Sequence, residues 1–129
     1  MIFSAGMTFL YPLEPSQTAH LWMIVTRPDS DGRFAVVSFT SLKGAKDQTV
    51  ILRQGEHPFL KWDTCVAYAL AQITTTTQLD EFLTTGEARM NTPATYKLQR
   101  LVLDGFLASD QTKNRVRTFI TNYKATTQT

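Results

Sequence analysis

One cysteine, two histidines and six glycines stand among 129 residues. A single cysteine, Cys65, excludes an internal disulfide. It sits in the apolar run Cys65–Ala69 and reads as a small packed hydrophobe rather than a nucleophile. His20 and His57 lie far apart in sequence, with no Cys/His ligand spacing around them, which argues against a zinc site. No Gly-rich phosphate loop and no serine elbow is present, so no metal and no cofactor is expected. No apolar run approaches the ~20 residues of a membrane span. Met1–Leu13 also lacks the basic start and long apolar core of a secretory signal. These absences point to a cytoplasmic protein with no membrane partner.

What is present is ordinary for a soluble domain: 43% hydrophobic and 19% charged residues. A chain of this length reads as one domain, residues 1–129. The net charge of +2 is uninformative, but its distribution is uneven. Residues 1–86 carry six basic and eight acidic side chains, whereas residues 87–129 carry seven basic and three acidic. A basic C-terminal third reads either as two solvated helix faces or as a weak nucleic-acid contact.

Short runs rich in Val, Ile, Phe, Tyr and Thr, broken by Gly, Pro, Asp and Ser, predict β-strands. An edge strand is expected within Ser4–Tyr11, then a loop over Pro12–Ala19. Strands follow at Leu21–Thr26, Arg33–Thr40, Gln48–Leu52 and Trp62–Leu70. Arg27–Gly32, with Pro, Asp and Gly, reads as a hairpin turn. Arg33–Thr40 lacks clean alternation and is expected to be covered on both faces. The alternating small residues Cys65, Ala67 and Ala69 suit a tightly curved barrel wall. Thr74–Thr77 reads as a strand end, and Gln78–Thr85 as a short helix closed by Gly86. Thr92-Pro93 has the form of a helix start, with Thr92 as N-cap. A further helix is expected from Ser109 or Asp110, with Val116, Phe119, Ile120 and Tyr123 on one stripe. Ala125–Thr129 is expected to fray. The fold class is therefore mainly β with C-terminal helices: a small, SH3-like, curved antiparallel barrel over about 1–77 and helices over about 78–124. Trp22, Ile24, Val36, Phe39, Val66, Leu101, Phe106, Phe119 and Ile120 are the expected core.

Strand ends and loops carry the polar candidates, as sites on rigid scaffolds usually do. These are His20, Thr40, Ser41, Lys43, His57, Lys61 and Asp63. Imidazole, hydroxyl and lysine suit recognition and cleavage of a phosphodiester. The imidazole moves a proton near neutral pH and the cation stabilises an anionic transition state. RNA supplies its own nucleophile, the 2′-hydroxyl. The alternative reading leaves His20 as a strand cap, Thr40-Ser41 as turn residues, and His57-Pro58-Phe59 as a loop anchored by burying Phe59. Lys43, Lys61, Arg115 and Arg117 are the candidate phosphate contacts.

The order His20–Thr26, Phe34–Ser41 followed by Leu42-Lys43-Gly44, Val66–Ile73 and C-terminal helices resembles the PemK/MazF-like (Kid-type) toxins over roughly residues 18–122. The strongest match is the second strand ending in Thr40-Ser41 before a short Lys/Gly loop. The resemblance implies an SH3-like barrel, a sequence-selective endoribonuclease (mRNA interferase) acting on single-stranded RNA, a cognate antitoxin protein, and a homodimer. It implies a hydroxyl of the RNA-cleaving site at Thr40-Ser41. The family's Arg-Pro pair before the first apolar strand is replaced here by Ala19-His20, and Met1–Leu10 does not match its opening strand. Two functions follow: a toxin-like endoribonuclease with His20 or His57 as acid/base, and a non-catalytic nucleic-acid or protein-binding module on the same barrel.

Overall fold

The computed structural model describes residues 1–127. The element order is β1 (Thr8–Tyr11), β2 (His20–Ile24), β3 (Arg33–Ser41), β4 (Ile51–Leu52), β5 (Thr64–Thr75), α1 (Thr76–Thr85), β6 (Arg89–Asn91), α2 (Tyr96–Ala108) and α3 (Asn114–Thr127). The six strands form one antiparallel sheet in the order β4-β5-β3-β2-β1-β6. It curls as a half-barrel, with the C-terminal helices packed on it, as the strand and turn chemistry predicts.

The sheet is the middle layer. On β2 and β3, successive side chains point to opposite faces. Leu21, Met23, Ala35 and Val37 enter one core with Leu98, Val102 and Phe106 of α2 and Val116 and Ile120 of α3. Trp22, Ile24, Phe34 and Val36 pack on the other face with Phe3, Phe9 and Leu79 of α1. This explains why β3 shows no polar alternation: both of its faces are covered.

The ladder between β3 and β5 is irregular. Val36 faces Gln72 but Ser38 faces Ala67, so the ladder slips and β5 carries extra residues. A bulge of this kind bends a strand and increases its twist. It also breaks the side-chain phase. Val66 and Tyr68 are buried, yet Leu70 is 57% exposed and Ala71 is buried in its place. The Tyr68 hydroxyl donates to the carbonyl of Val102 at 2.8 Å. Gly105 is required beside it, because a β-carbon there would collide with the Tyr68 hydroxyl.

Several boundaries differ from the sequence expectation. β5 continues five residues beyond Leu70, and Trp62 precedes it in a loop. Thr74 and Thr75 end the strand, but Thr76 and Thr77 already belong to α1, capped by the Thr75 hydroxyl accepting from the Gln78 N–H. β1 is not an edge strand, since β6 pairs outside it. β4 shrinks to Ile51–Leu52. Thr95 rather than Thr92 caps α2. The reason is that Thr92 and Ala94 are committed elsewhere. The Thr92 carbonyl accepts from the Thr8 hydroxyl, and the Ala94 N–H donates to Gly6. Likewise Ser109 ends α2, and α3 starts only at Asn114. Of the expected core, Leu101 is 41% exposed and Trp22 and Phe119 are half-buried, while the other six are buried. The expected fraying of Ala125–Thr129 lies partly outside the described residues.

Candidate functional site

β2, β3 and β5 end together at one edge of the half-barrel. Trp22 lies opposite Ser38. Carried on toward the strand ends, that register sets His20 level with Thr40. Thr40 and Ser41 in turn face Cys65 and Thr64. Beside these ends the segment between β4 and β5 folds back as a loop. A groove of about 430 Å³ separates loop from strands, lined by His20, Thr40 and Ser41 on one side and Phe59, Lys61 and Trp62 on the other. The sequence places His20, Thr40, Ser41 and Lys61 apart; the fold brings all four to one groove. Lys43 lies just beyond, in an adjoining groove of about 570 Å³ with Gln54 and Asp63.

The loop is internally braced. Asp63 accepts from the Gln54 N–H and from the Arg53 guanidinium, both at 3.0 Å. The Glu56 carboxylate accepts from the Arg53 N–H at 2.6 Å, and Leu60 is buried beneath. His57 is the keystone. It is 2% exposed, its Nδ1 accepts from the Phe59 N–H at 3.1 Å, and its Nε2 donates to the Thr92 carbonyl at 2.6 Å. With Nδ1 accepting, the proton of the neutral ring sits on Nε2. Both ring nitrogens are thus occupied by backbone groups. His57 braces the loop and is withdrawn as an acid/base candidate.

Burying the histidine leaves the neighbouring aromatics outside. Phe59 is 39% and Trp62 is 68% exposed, with Lys61 between them. The expectation that Phe59 anchors the loop is reversed. These two rings are candidate-site residues that sequence reasoning missed. Their signal is a pair of aromatics bracketing a lysine in a loop otherwise rich in Gly, Pro and charge, and placing Trp62 in a strand hides it.

Five polar side chains on the two grooves are unspent. Those of His20, Thr40, Ser41, Lys43 and Lys61 make no hydrogen bond or ion pair with any other described residue. Other polar candidates are committed. Arg117 donates to the carbonyls of Leu107 at 3.0 Å and Ser109 at 2.5 Å, tying α3 to the end of α2, so it is withdrawn as a phosphate contact. Arg115 is exposed on α3 but lines neither groove. Cys65 is buried, and burial followed by the charge of Asp47 pushes its thiol pKa up, the opposite of an activated nucleophile. Among the described residues no three His, Cys, Asp or Glu side chains are grouped to hold a metal ion, and no helix is long and apolar enough to cross a membrane. No family model, curated protein or solved structure matches this chain.

Two carboxylates that brace loops near the groove have lowered pKa values. The Gln54 N–H, then Arg53, holds Asp63 below the usual 3.8. Burial raises Asp47, but hydrogen bonds from Ser109 and Thr49 outweigh it, and its pKa is also lowered. A depressed folded pKa adds stability that is fully present above the unfolded value and is lost as pH falls through the folded one. The urea midpoint is therefore expected to hold from pH 7 to about 5 and to fall below about pH 4. Asp47→Asn should flatten that acid limb. An equally steep limb in the variant would place the acid sensitivity elsewhere.

Proposed function

We propose that this protein is an endoribonuclease that takes single-stranded RNA into the groove between the ends of β2 and β3 and the Phe59–Trp62 segment. The observation that carries the reading is the set of five unspent polar side chains beside two exposed aromatic rings. Exposed rings interleaved with lysines form a surface on which unpaired bases stack while the cations follow the phosphates. Duplex RNA hides its base faces and fits such a surface poorly.

The chemistry available there is transesterification. The 2′-oxygen attacks the adjacent phosphorus, the bond from phosphorus to the 5′-oxygen breaks, and a 2′,3′-cyclic phosphate and a 5′-hydroxyl result. The proton of the 2′-hydroxyl passes to water, and the His20 imidazolium protonates the departing 5′-oxygen. Thr40 and Ser41 hydroxyls donate to the non-bridging oxygens, and Lys61 offsets their charge. The resemblance to PemK/MazF-like toxins extends this reading to growth arrest in the cell, relieved by an antitoxin, with the toxin as a homodimer.

Induced expression is expected to arrest growth, and Thr40→Ala is expected to slow RNA cleavage by ~10²-fold, the scale of one lost transition-state donor. Unimpaired growth with intact RNA counts against cleavage. One observation favours the second reading, a non-catalytic RNA-binding module. The groove is lined by a single imidazole and no carboxylate, and Asp63 of the adjoining groove is occupied by Arg53 and Gln54. Salt-sensitive RNA binding without cleavage is the result that selects it.

A further inference from the structure

Trp62 and Ser41 each line both grooves: the one containing His20 and the adjoining one containing Lys43. Trp62 is thus a ridge between two recesses, with Ser41 on the strand end opposite. Each recess, about 430 and 570 Å³, is within the size range of small-ligand sites. The two lysines are divided between them, Lys61 on the first and Lys43 on the second.

From this arrangement we infer that the protein seats two consecutive nucleotides astride Trp62, one base stacked on each side of the indole, with their linking phosphate at Ser41. The inference rests on the RNA reading above and adds to it a dinucleotide as the unit recognised. The geometry has three consequences. A base on either side of the ridge turns its face to the ring, so stacking is independent of base identity. The phosphate between the two bases crosses the ridge where the Ser41 hydroxyl is free to donate to it. The next phosphate on either side falls to one lysine each, which sets the strand's path across the strand ends.

Trp62 suits direct testing. Its side chain makes no hydrogen bond with another described residue, and only its carbonyl is used, accepting from Thr64. Trp62→Ala should therefore fold normally. The probes are a 2′-O-methylated hexanucleotide of mixed sequence, a 2′-O-methylated dinucleoside monophosphate and a nucleoside 3′,5′-bisphosphate, titrated by intrinsic fluorescence. The hexanucleotide should quench the emission, with quenching lost in Trp62→Phe. Its affinity should fall at least ~10-fold in Trp62→Ala, within the range one or two stacked bases contribute, and Trp62→Phe should keep most of it. Lys43→Ala and Lys61→Ala should each lower the salt slope by about one. The dinucleoside monophosphate, with two bases and one phosphate, should bind more tightly than the bisphosphate, with one base and two phosphates. Hexanucleotide binding that survives Trp62→Ala within twofold overturns the two-recess seat while leaving RNA binding intact. Equal or tighter binding of the bisphosphate does the same. No hexanucleotide binding by the unaltered protein overturns the RNA reading and this inference with it.

Discussion

His20→Ala is expected to remove RNA cleavage while leaving the fold and RNA binding in place. The imidazole is the one group on the groove suited to pass a proton to a departing 5′-oxygen. General acid catalysis contributes ~10²- to 10⁴-fold, so the residual rate should fall by that factor. The fold should not respond, because His20 is exposed at the start of β2 and its side chain makes no hydrogen bond with another described residue. Cleavage rate, RNA affinity and urea midpoint, measured together, separate these effects. His57→Gln is the companion substitution. It disturbs a buried ring that joins the Phe59 N–H to the Thr92 carbonyl, so it should lower the urea midpoint. A His20→Ala protein that cleaves at the full rate would end the role assigned to this side chain.

Phe106→Ala is expected to cost ~3–5 kcal/mol of stability. Phe106 is fully buried on α2, and its ring meets Tyr68 edge-on with centroids 4.7 Å apart. Tyr68 is itself hydrogen-bonded to the Val102 carbonyl, so neither neighbour moves freely into the space vacated. The cavity should therefore stay open. The loss also loosens the contact through which α2 sits on the bulged part of β5. A loss below about 1 kcal/mol by chemical denaturation would show that the helix and strand collapse onto each other.

The strands and helices were legible where local chemistry decides them. The aliphatic run of β3, the Pro/Asp/Gly turn before it and the α2 and α3 stripes all identify their elements correctly. What was not legible depends on partners distant in sequence. β6 is three residues long and is a strand only because β1 offers it an edge. Thr92 has the local form of a cap, yet Thr8 and His57 claim its carbonyl. Leu70 keeps the alternation of Val66 and Tyr68 in sequence and loses it to a bulge that only pairing with β3 reveals. The candidate site divides in the same way. His20, Thr40, Ser41 and Lys61 were recognisable as polar groups at strand ends and loops, and the fold gathers them. His57 and Arg117 carry the same chemistry in sequence but are absorbed by backbone groups. In sequence Trp62 reads as part of a strand, and Phe59 as a loop anchor in the alternative reading, because apolar residues usually turn inward. Only the burial of His57 beneath their loop shows why they face outward.

The most direct measurement is the chemistry of RNA ends left by the purified protein. Single-stranded RNA of mixed sequence is incubated with the protein in EDTA, and the new termini are typed. The account predicts fragments ending in 2′,3′-cyclic phosphate and beginning with 5′-hydroxyl, formed from single strands and not from the matching duplex, and blocked by 2′-O-methylation. RNA that stays full length, or fragments that begin with a 5′-phosphate, would contradict it.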